Sequence, residues 1–266
     1  MRAAPNLVNL LAVIGALSLI GACVGTEVGN PQTSDVTVEF SGYDGQQRGA
    51  LTLASGIEIT EAWLVFDELR LREAANCSGS DETDYDQAFA VELISGREFP
   101  ALDMLSSEAT RYCRMELRFA ESDLDSLPAG VPAELDGLSV LVRGSYDGTP
   151  FVVRDDYKDT FRMDGDFTLS ASREPLLVAF ALDEWLAAEE LDGADGDAEI
   201  LIDADNNSDL LDSFRENMKR SAALFRDANE DGELQADETD ELADGDVDDD
   251  SSDDEADAGD AEADAG

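Results

Sequence analysis

The sequence predicts a mainly β protein: an antiparallel β-sandwich over residues 34–202, then an amphipathic helix, an oxygen-rich loop and a disordered acidic tail. Three observations predict this. Between Ser34 and Leu182 apolar residues recur at every second position, the period of a strand with one buried face. Short breaks carrying Gly and Asp separate these runs, as hairpin turns do. From Leu210 the apolar period becomes helical, and from about Ala243 apolar residues nearly cease.

Composition narrows the function. With 266 residues, 43% hydrophobic and eleven Phe among them, the chain has material for one large core or two small ones. A formal net charge of -46 argues against nucleic acid and anionic lipid as surface partners, because both are repelled. Twenty acids and no Lys or Arg lie from Asp227 onward, fewer than half of that excess, so the folded part is acidic too. Such a surface stays hydrated when salt screens its self-repulsion, which suits a saline habitat. The absence of His removes the commonest general base and the usual zinc ligand, and with them His triads. Divalent cations and basic partners remain.

At the N-terminus Arg2 precedes an apolar run from Leu7 to Ala22, broken by Asn9. It is short for a membrane span and suits the hydrophobic region of a secretory signal. Leu19-Ile20-Gly21-Ala22-Cys23 resembles a bacterial lipobox, in which small residues precede a Cys that is lipidated and becomes the new N-terminus. The resemblance implies a signal peptide over 1–22, a lipid on Cys23 and anchorage to the membrane of the cell envelope. Val24 in place of Asp after that Cys implies an outer-membrane destination. An ordinary cleaved signal and an uncleaved anchor are the alternatives. Gly25 to Pro31 resembles a segment that follows the lipidated Cys in a group of bacterial lipoproteins; it is Gly/Pro/Asn-rich and reads as part of a tether over 23–33.

In the sandwich region Val36, Val38 and Phe40 alternate with polar neighbours. Trp63, Val65, Leu69 and Leu71 read as one face, interrupted at Asp67. Cys113, Met115, Leu117 and Phe119 stand opposite Tyr112, Arg114, Glu116 and Arg118. Further strands are expected near Phe89 to Ile94, Leu138 to Tyr146, Phe151 to Arg154, Phe161 to Met163, Phe167 to Leu169 and Leu176 to Leu182. Asp147-Gly148 predicts a tight hairpin, since both residues tolerate positive φ, and Asp164-Gly165 a second one. The order of Ile57 to Arg72, Leu102 to Leu105 leading to Tyr112 to Leu117, and the Asp147-Gly148 turn resembles a β-sandwich domain of bacterial lipoproteins without assigned activity, over residues 35–185.

Apart from Cys23 there are two cysteines, Cys77 and Cys113. In an oxidising envelope they are expected to pair, which stabilises by about 3 kcal/mol through the loop they close. Two reduced thiols are the alternative.

Asp183 to Leu186 predicts a short helix with Asp183 as its N-cap, and Ile200 to Ile202 a strand. Asp203, Asp205 and Asn207 have the spacing of ion ligands, but Ser208 and Phe214 occupy the sixth and twelfth positions, so a capping loop is preferred to a second ion site. Leu210, Leu211, Phe214, Met218, Ala222 and Phe225 predict one amphipathic helix from Asp209 to Arg226. A loop follows from Asp227 to Glu238. It places oxygen-bearing side chains at its first, third, fifth, ninth and twelfth positions and Gly232 at the sixth, and resembles the calcium loop of an EF-hand. A hard cation needs six to eight oxygens, and alternate residues can supply them if the chain turns sharply once. Asp227, Asn229 and Asp231 supply side-chain oxygens, Glu233 its backbone carbonyl, Gln235 a direct or water-borne contact, and Glu238 two oxygens, with Ca2+ as the ion. Leu234 points away into apolar packing. Arg226 stands where the family places an aromatic, and Phe225 is one residue early. Beyond Glu238 a short exiting helix is expected, and 243–266 reads as a disordered polyanion that solvates the protein or gathers calcium weakly.

The favoured reading is a non-enzymatic, lipid-anchored calcium-binding protein of the envelope, with 203–242 as its helix and calcium loop. A second is a binding module for a glycan or an envelope protein, with Trp63, Tyr112 and Tyr146 lining a surface. A third is a carboxylate hydrolase, for which 63 acids nominate no particular pair.

Overall fold

The computed structural model describes residues 33–245 apart from 46–52, 54, 75–76, 78–81, 109, 124–128, 171, 197 and 239. The expected signal peptide, Cys23, the tether through residue 32 and the tail from residue 246 lie outside the described residues. The protein is mainly β. In order come β1 (Thr33–Tyr43), β2 (Ile57–Glu73), β3 (Glu82–Tyr85), β4 (Phe89–Glu92), β5 (Arg97–Phe99), β6 (Leu105–Glu108), β7 (Arg111–Phe119), β8 (Val140–Tyr146), β9 (Thr149–Asp155), β10 (Thr160–Thr168) and β11 (Glu174–Ala181). After these come α1 (Ala188–Asp192), β12 (Ile200–Ile202), α2 (Ser208–Arg220), β13 (Ala222–Arg226) and β14 (Glu241–Gly245).

The strands join into one sheet, in the order β12-β9-β8-β2-β7-β10-β14-β13-β11-β1-β6, with β3 and β4 also on β2 and β5 on β4. Pairing is not purely antiparallel as expected: β1 runs parallel to β11, and β12 to β9. In each case the intervening chain is long enough for the crossover that a parallel pair needs. The sheet curls until distant strands share an interior. Phe40 of β1 meets Phe66 of β2 at 5.9 Å and Phe89 of β4 at 5.8 Å, and all three rings are buried.

The central strand β2 changes parity where its pairing slips. Register shifts against β8 between Ile59 and Glu61, and against β7 between Phe66 and Glu68. Ala62, Leu64 and Phe66 therefore share the main core with Leu69 and Leu71, while Trp63 and Val65 lie in a second cluster with Leu135 and Leu141. The expectation that Trp63, Val65, Leu69 and Leu71 share one face is corrected by the bulge at Asp67, since one extra residue reverses the alternation. Tyr112 likewise joins Met115, Leu117 and Phe119 inside, stacked on Phe167. Cys77 and Cys113 are joined by a disulfide, with Cα atoms 6.1 Å apart.

Asp147 (φ 47°) and Gly148 (φ 84°) turn β8 into β9. Asp164-Gly165 does not turn. It lies within β10, and Gly165 has no side chain because the backbone of Leu242 and Ala243 packs against it. The short helix expected at Asp183 is a 3-10 turn over Leu182–Glu184 without a side-chain cap, and Asp183 Oδ1 instead accepts the Gly45 N–H at 2.7 Å.

The helix expected from Asp209 to Arg226 is divided. α2 ends at Arg220, and Ala222–Arg226 is a strand paired with Leu176 to Phe180 of β11. Five residues of mixed apolar pattern satisfy either period, and the open edge of β11 decides between them. Trp185, fully buried against Phe180 and Phe214, donates to Ser221 Oγ at 2.8 Å at this junction. Arg215 of α2 donates twice to the buried Asp155 carboxylate, at 2.8 and 2.7 Å, and ties the helix to β9. The exit from the loop is also a strand and not a helix: β14 pairs with β13 and β10, so Ala243 to Gly245 belong to the sheet. Among the described residues no helix is long and apolar enough to cross a membrane.

Phe66, in ring contact with Phe40, Phe89 and Phe119, sits where the curled sheet closes. Phe66→Ala is expected to cost about 3–5 kcal/mol in urea unfolding. A loss below about 1 kcal/mol would contradict this packing.

Candidate functional site

The oxygen-rich loop connects β13 to β14, so it is the long end of a β-hairpin. At its base Arg226 N donates to Asp240 O at 3.2 Å, its Nε donates to Asp240 Oδ2 at 3.0 Å, and its guanidinium pairs with the buried Glu174. This explains the arginine where an EF-hand has an aromatic. On a strand Leu224 and Phe225 face opposite sides, Leu224 into the main core and Phe225 beside Leu177, Ala179 and Leu234, which leaves Arg226 to span the hairpin mouth. Leu234 is buried, as its position in the loop predicts.

Within the loop the oxygens are held by backbone donors. Asp227, 1% exposed, accepts from the N–H groups of Glu230 at 2.7 Å and Asp231 at 3.4 Å through Oδ1, and from Gly232 at 2.9 Å through Oδ2. Asn229 Oδ1 accepts from Asp231 N–H, and Asp231 Oδ1 from Glu233 N–H, each at 3.0 Å. Glu238, 5% exposed, accepts from Ala228 N–H and Gln235 N–H, both at 3.0 Å. The Gln235 amide donates to Asp231 Oδ2. Asp227, Asn229, Asp231, Gln235 and Glu238 thus belong to one network, to which Glu233 adds its N–H. In this hydrogen-bonded form, among the described residues, no group of three or more Cys, Asp or Glu side chains is placed to hold a metal ion.

Local sequence did not reveal what the fold adds. Glu39, on distant β1, reaches the loop beside Gly232. Burial and then the charge of Asp227 push its carboxyl above the usual range, Arg173 pulls the other way, and Asp231 and Glu230 add to the rise. Arg173 pairs with Glu230 at 2.9 Å. A cleft of about 350 Å³ opens beside the loop, lined by Glu39, Tyr43, Ile94, Asp231, Glu233 and Leu234 among others. Near it, burial pushes Glu98 up to about 7, against the Leu102 N–H it accepts at 3.1 Å, and Glu39 adds to the rise.

The Asp203 segment is a loop that leads into α2, but the side-chain cap expected of it is not made. Asp203 Oδ1 accepts from the N–H groups of Asp205 and Asn206 at 2.9 and 2.8 Å, and Asn207, at φ 51°, precedes α2. Its side chain makes no cap hydrogen bond and donates to Leu201 O at 2.7 Å instead. Trp63 and Tyr112 are buried, which removes them from any binding surface; Tyr146 is half-buried and donates to Asp192 at 2.9 Å.

Comparison with protein-family models, with curated proteins and with solved structures finds no match.

Two outcomes follow from this geometry. Gly232 has φ 72°, and a Cβ there would also meet the Glu39 carboxylate. Gly232→Ala is expected to cost about 1 kcal/mol, and to cost nearly as much in a Glu39→Ala background, because the backbone strain remains. Disappearance of the cost in that background would refute the strain argument. For Glu98, a folded pKa raised above the unfolded one means stability present at low pH and lost as pH rises between about 4.5 and 7. Glu98→Gln is therefore expected to gain on the unsubstituted protein across that window in urea unfolding, and a pH-independent difference would count against it.

Proposed function

We propose that the loop from Asp227 to Glu238 binds Ca2+ as a structural ion in a non-enzymatic protein anchored by lipid on Cys23 to the bacterial envelope. One observation carries the calcium reading: Asp227 and Glu238 are buried at the two ends of the loop and accept from backbone N–H groups, and the Glu39 carboxylate lies close enough to Asp227 for the charge of one to act on the other. Like charges held together out of water repel, and a divalent cation offsets that repulsion. Asp227, Asn229, Asp231 and Glu238 would offer side-chain oxygens, Glu233 its carbonyl and Gln235 its amide oxygen once the Gln235 to Asp231 hydrogen bond exchanges for the ion. The backbone donors already on these side chains support this fit, because they orient the oxygens without using every lone pair.

The position of the loop favours a structural role over a signalling one. It closes the hairpin of β13 and β14, which stands between β10 and β11 in the sheet. In the same reading the two parts of the curled sheet act as the faces of a β-sandwich, supported by the Phe40 contacts with Phe66 and Phe89. The lipid anchor and outer-membrane destination rest on the lipobox resemblance alone. A second reading, a module for a protein or glycan ligand, is favoured only by the polar cleft beside the loop. For hydrolysis the two carboxyl groups with raised pKa in this region, Glu39 and Glu98, are pushed in the same direction, which does not supply a separate acid and base.

Calorimetry on the soluble form from Val24 onward should give a calcium Kd of about 0.1–1 mM. At about 10 mM Ca2+ that affinity stabilises the fold by about 1.4–2.7 kcal/mol. Glu238→Gln should weaken binding by about tenfold or more, because it removes the charge of the closing ligand. Unchanged affinity in that variant, or no calcium-linked rise in Tm, would sink the assignment.

A further inference from the structure

The loop does not stand clear of the sheet. Along β1, Val36, Val38 and Phe40 point into the main core, so Thr37 and Glu39 take the outer side. The register carries that side across the next two strands: Glu39 stands opposite Leu177 of β11, and Leu177 opposite Phe225 of β13. Leu177, Ala179, Ala223 and Phe225 form an apolar patch on this outer face, and Leu234 of the loop is buried against it. Two strand spacings are about 10 Å, so a loop anchored there by Leu234 reaches over β11 to β1. Gly232 is the point of contact. Its N–H donates to Asp227 Oδ2 at 2.9 Å, and a Cβ on it would meet Glu39 Oε2. One residue of backbone thus stands between the two carboxylates.

A carboxylate is a poor choice for this place unless a cation is near. Glu39 is half-buried, and no described residue holds its carboxylate by a hydrogen bond or an ion pair. Burial and then the charge of Asp227 raise its pKa, Arg173 opposes them, and Asp231 and Glu230 add to the rise. Arg173 is itself engaged by Glu230 at 2.9 Å. A half-buried carboxylate near three others, with no donor of its own, costs stability, and a divalent ion inside the loop reverses the sign of its surroundings. That attraction acts through space and needs no place among the ligands. We infer that Glu39 sets calcium affinity from outside the loop: across Gly232 it adds a negative charge that residues 227–238 do not supply, so a bound ion also ties the loop to β1. This rests on the calcium reading above and adds a residue that the EF-hand resemblance does not provide.

The test uses the full soluble chain from Val24, titrated with calcium by calorimetry, with Tm read both in calcium and in EDTA. Glu39→Gln should weaken calcium binding about three- to tenfold in about 0.05 M NaCl, and the difference from the unsubstituted protein should shrink in about 1 M NaCl. Arg173→Gln should act in the opposite direction and tighten binding about twofold. Glu58→Gln removes an exposed acid of β2, controls for net charge, and should leave the affinity unchanged. In EDTA the Tm of Glu39→Gln should match or exceed that of the unsubstituted protein, since a repulsion has been removed. A lower Tm there would make Glu39 a packing residue and overturn the inference. Equal affinities in Glu39→Gln and Glu58→Gln, with binding weakened only in Glu238→Gln, would overturn it too and leave the calcium site standing. If Glu238→Gln binds calcium as well as the unsubstituted protein does, or neither binds it, the site itself falls and the role of Glu39 with it.

Discussion

The ladder between β13 and β14 makes one sheet out of two. On one side β10 continues through β7, β2, β8 and β9; on the other β11 continues through β1 to β6. Without the hairpin, the facing edges of β10 and β11 would each present a row of unpaired N–H and C=O groups. β14 has five residues and β13 five, so the link is short. Its two ends are fastened differently. At one end α2 runs into β13 through Ser221, which is bonded to Trp185; at the other Arg226 joins Glu174 and Asp240 across the hairpin mouth.

Beyond that arginine the chain must pass through a tight loop that buries two of its own acids, Asp227 and Glu238. The backbone solves most of this by turning N–H groups inward, with Glu230 and Gly232 at positive φ where the turn is sharpest. Hydrogen bonds from neutral amides stabilise individual carboxylates but leave their mutual repulsion in place. The approach of Glu39 makes that residual charge a property of the tertiary structure and not of the loop alone.

The mainly β character, the Asp147-Gly148 hairpin and the buried Leu234 were legible because each depends on residues adjacent in sequence. Legibility failed wherever pairing decided the outcome. Asp67 interrupts the apolar alternation, but a single polar residue does not say that β2 slips there against β7, and one residue of slip exchanges the faces on which Trp63 and Leu69 lie. Ala222 to Phe225 continues the helical stripe of Leu210 to Met218 in one dimension, yet in three it meets the open edge of β11 and becomes strand. At the site the ligand candidates were readable from their spacing. Glu39 and Arg173 were not, because they reach the loop from other strands or turns.

The parallel pairing of β1 with β11 carries a mechanical meaning. Eight consecutive register pairs, Val36 with Glu174 through Tyr43 with Ala181, run along an element whose first residue is Thr33. Tension entering at that end pulls lengthwise along the strand, so the rungs share the load in shear instead of opening one after another as a zipper does. A domain tugged from this side resists as a unit, and its weakest response to force lies in some other direction.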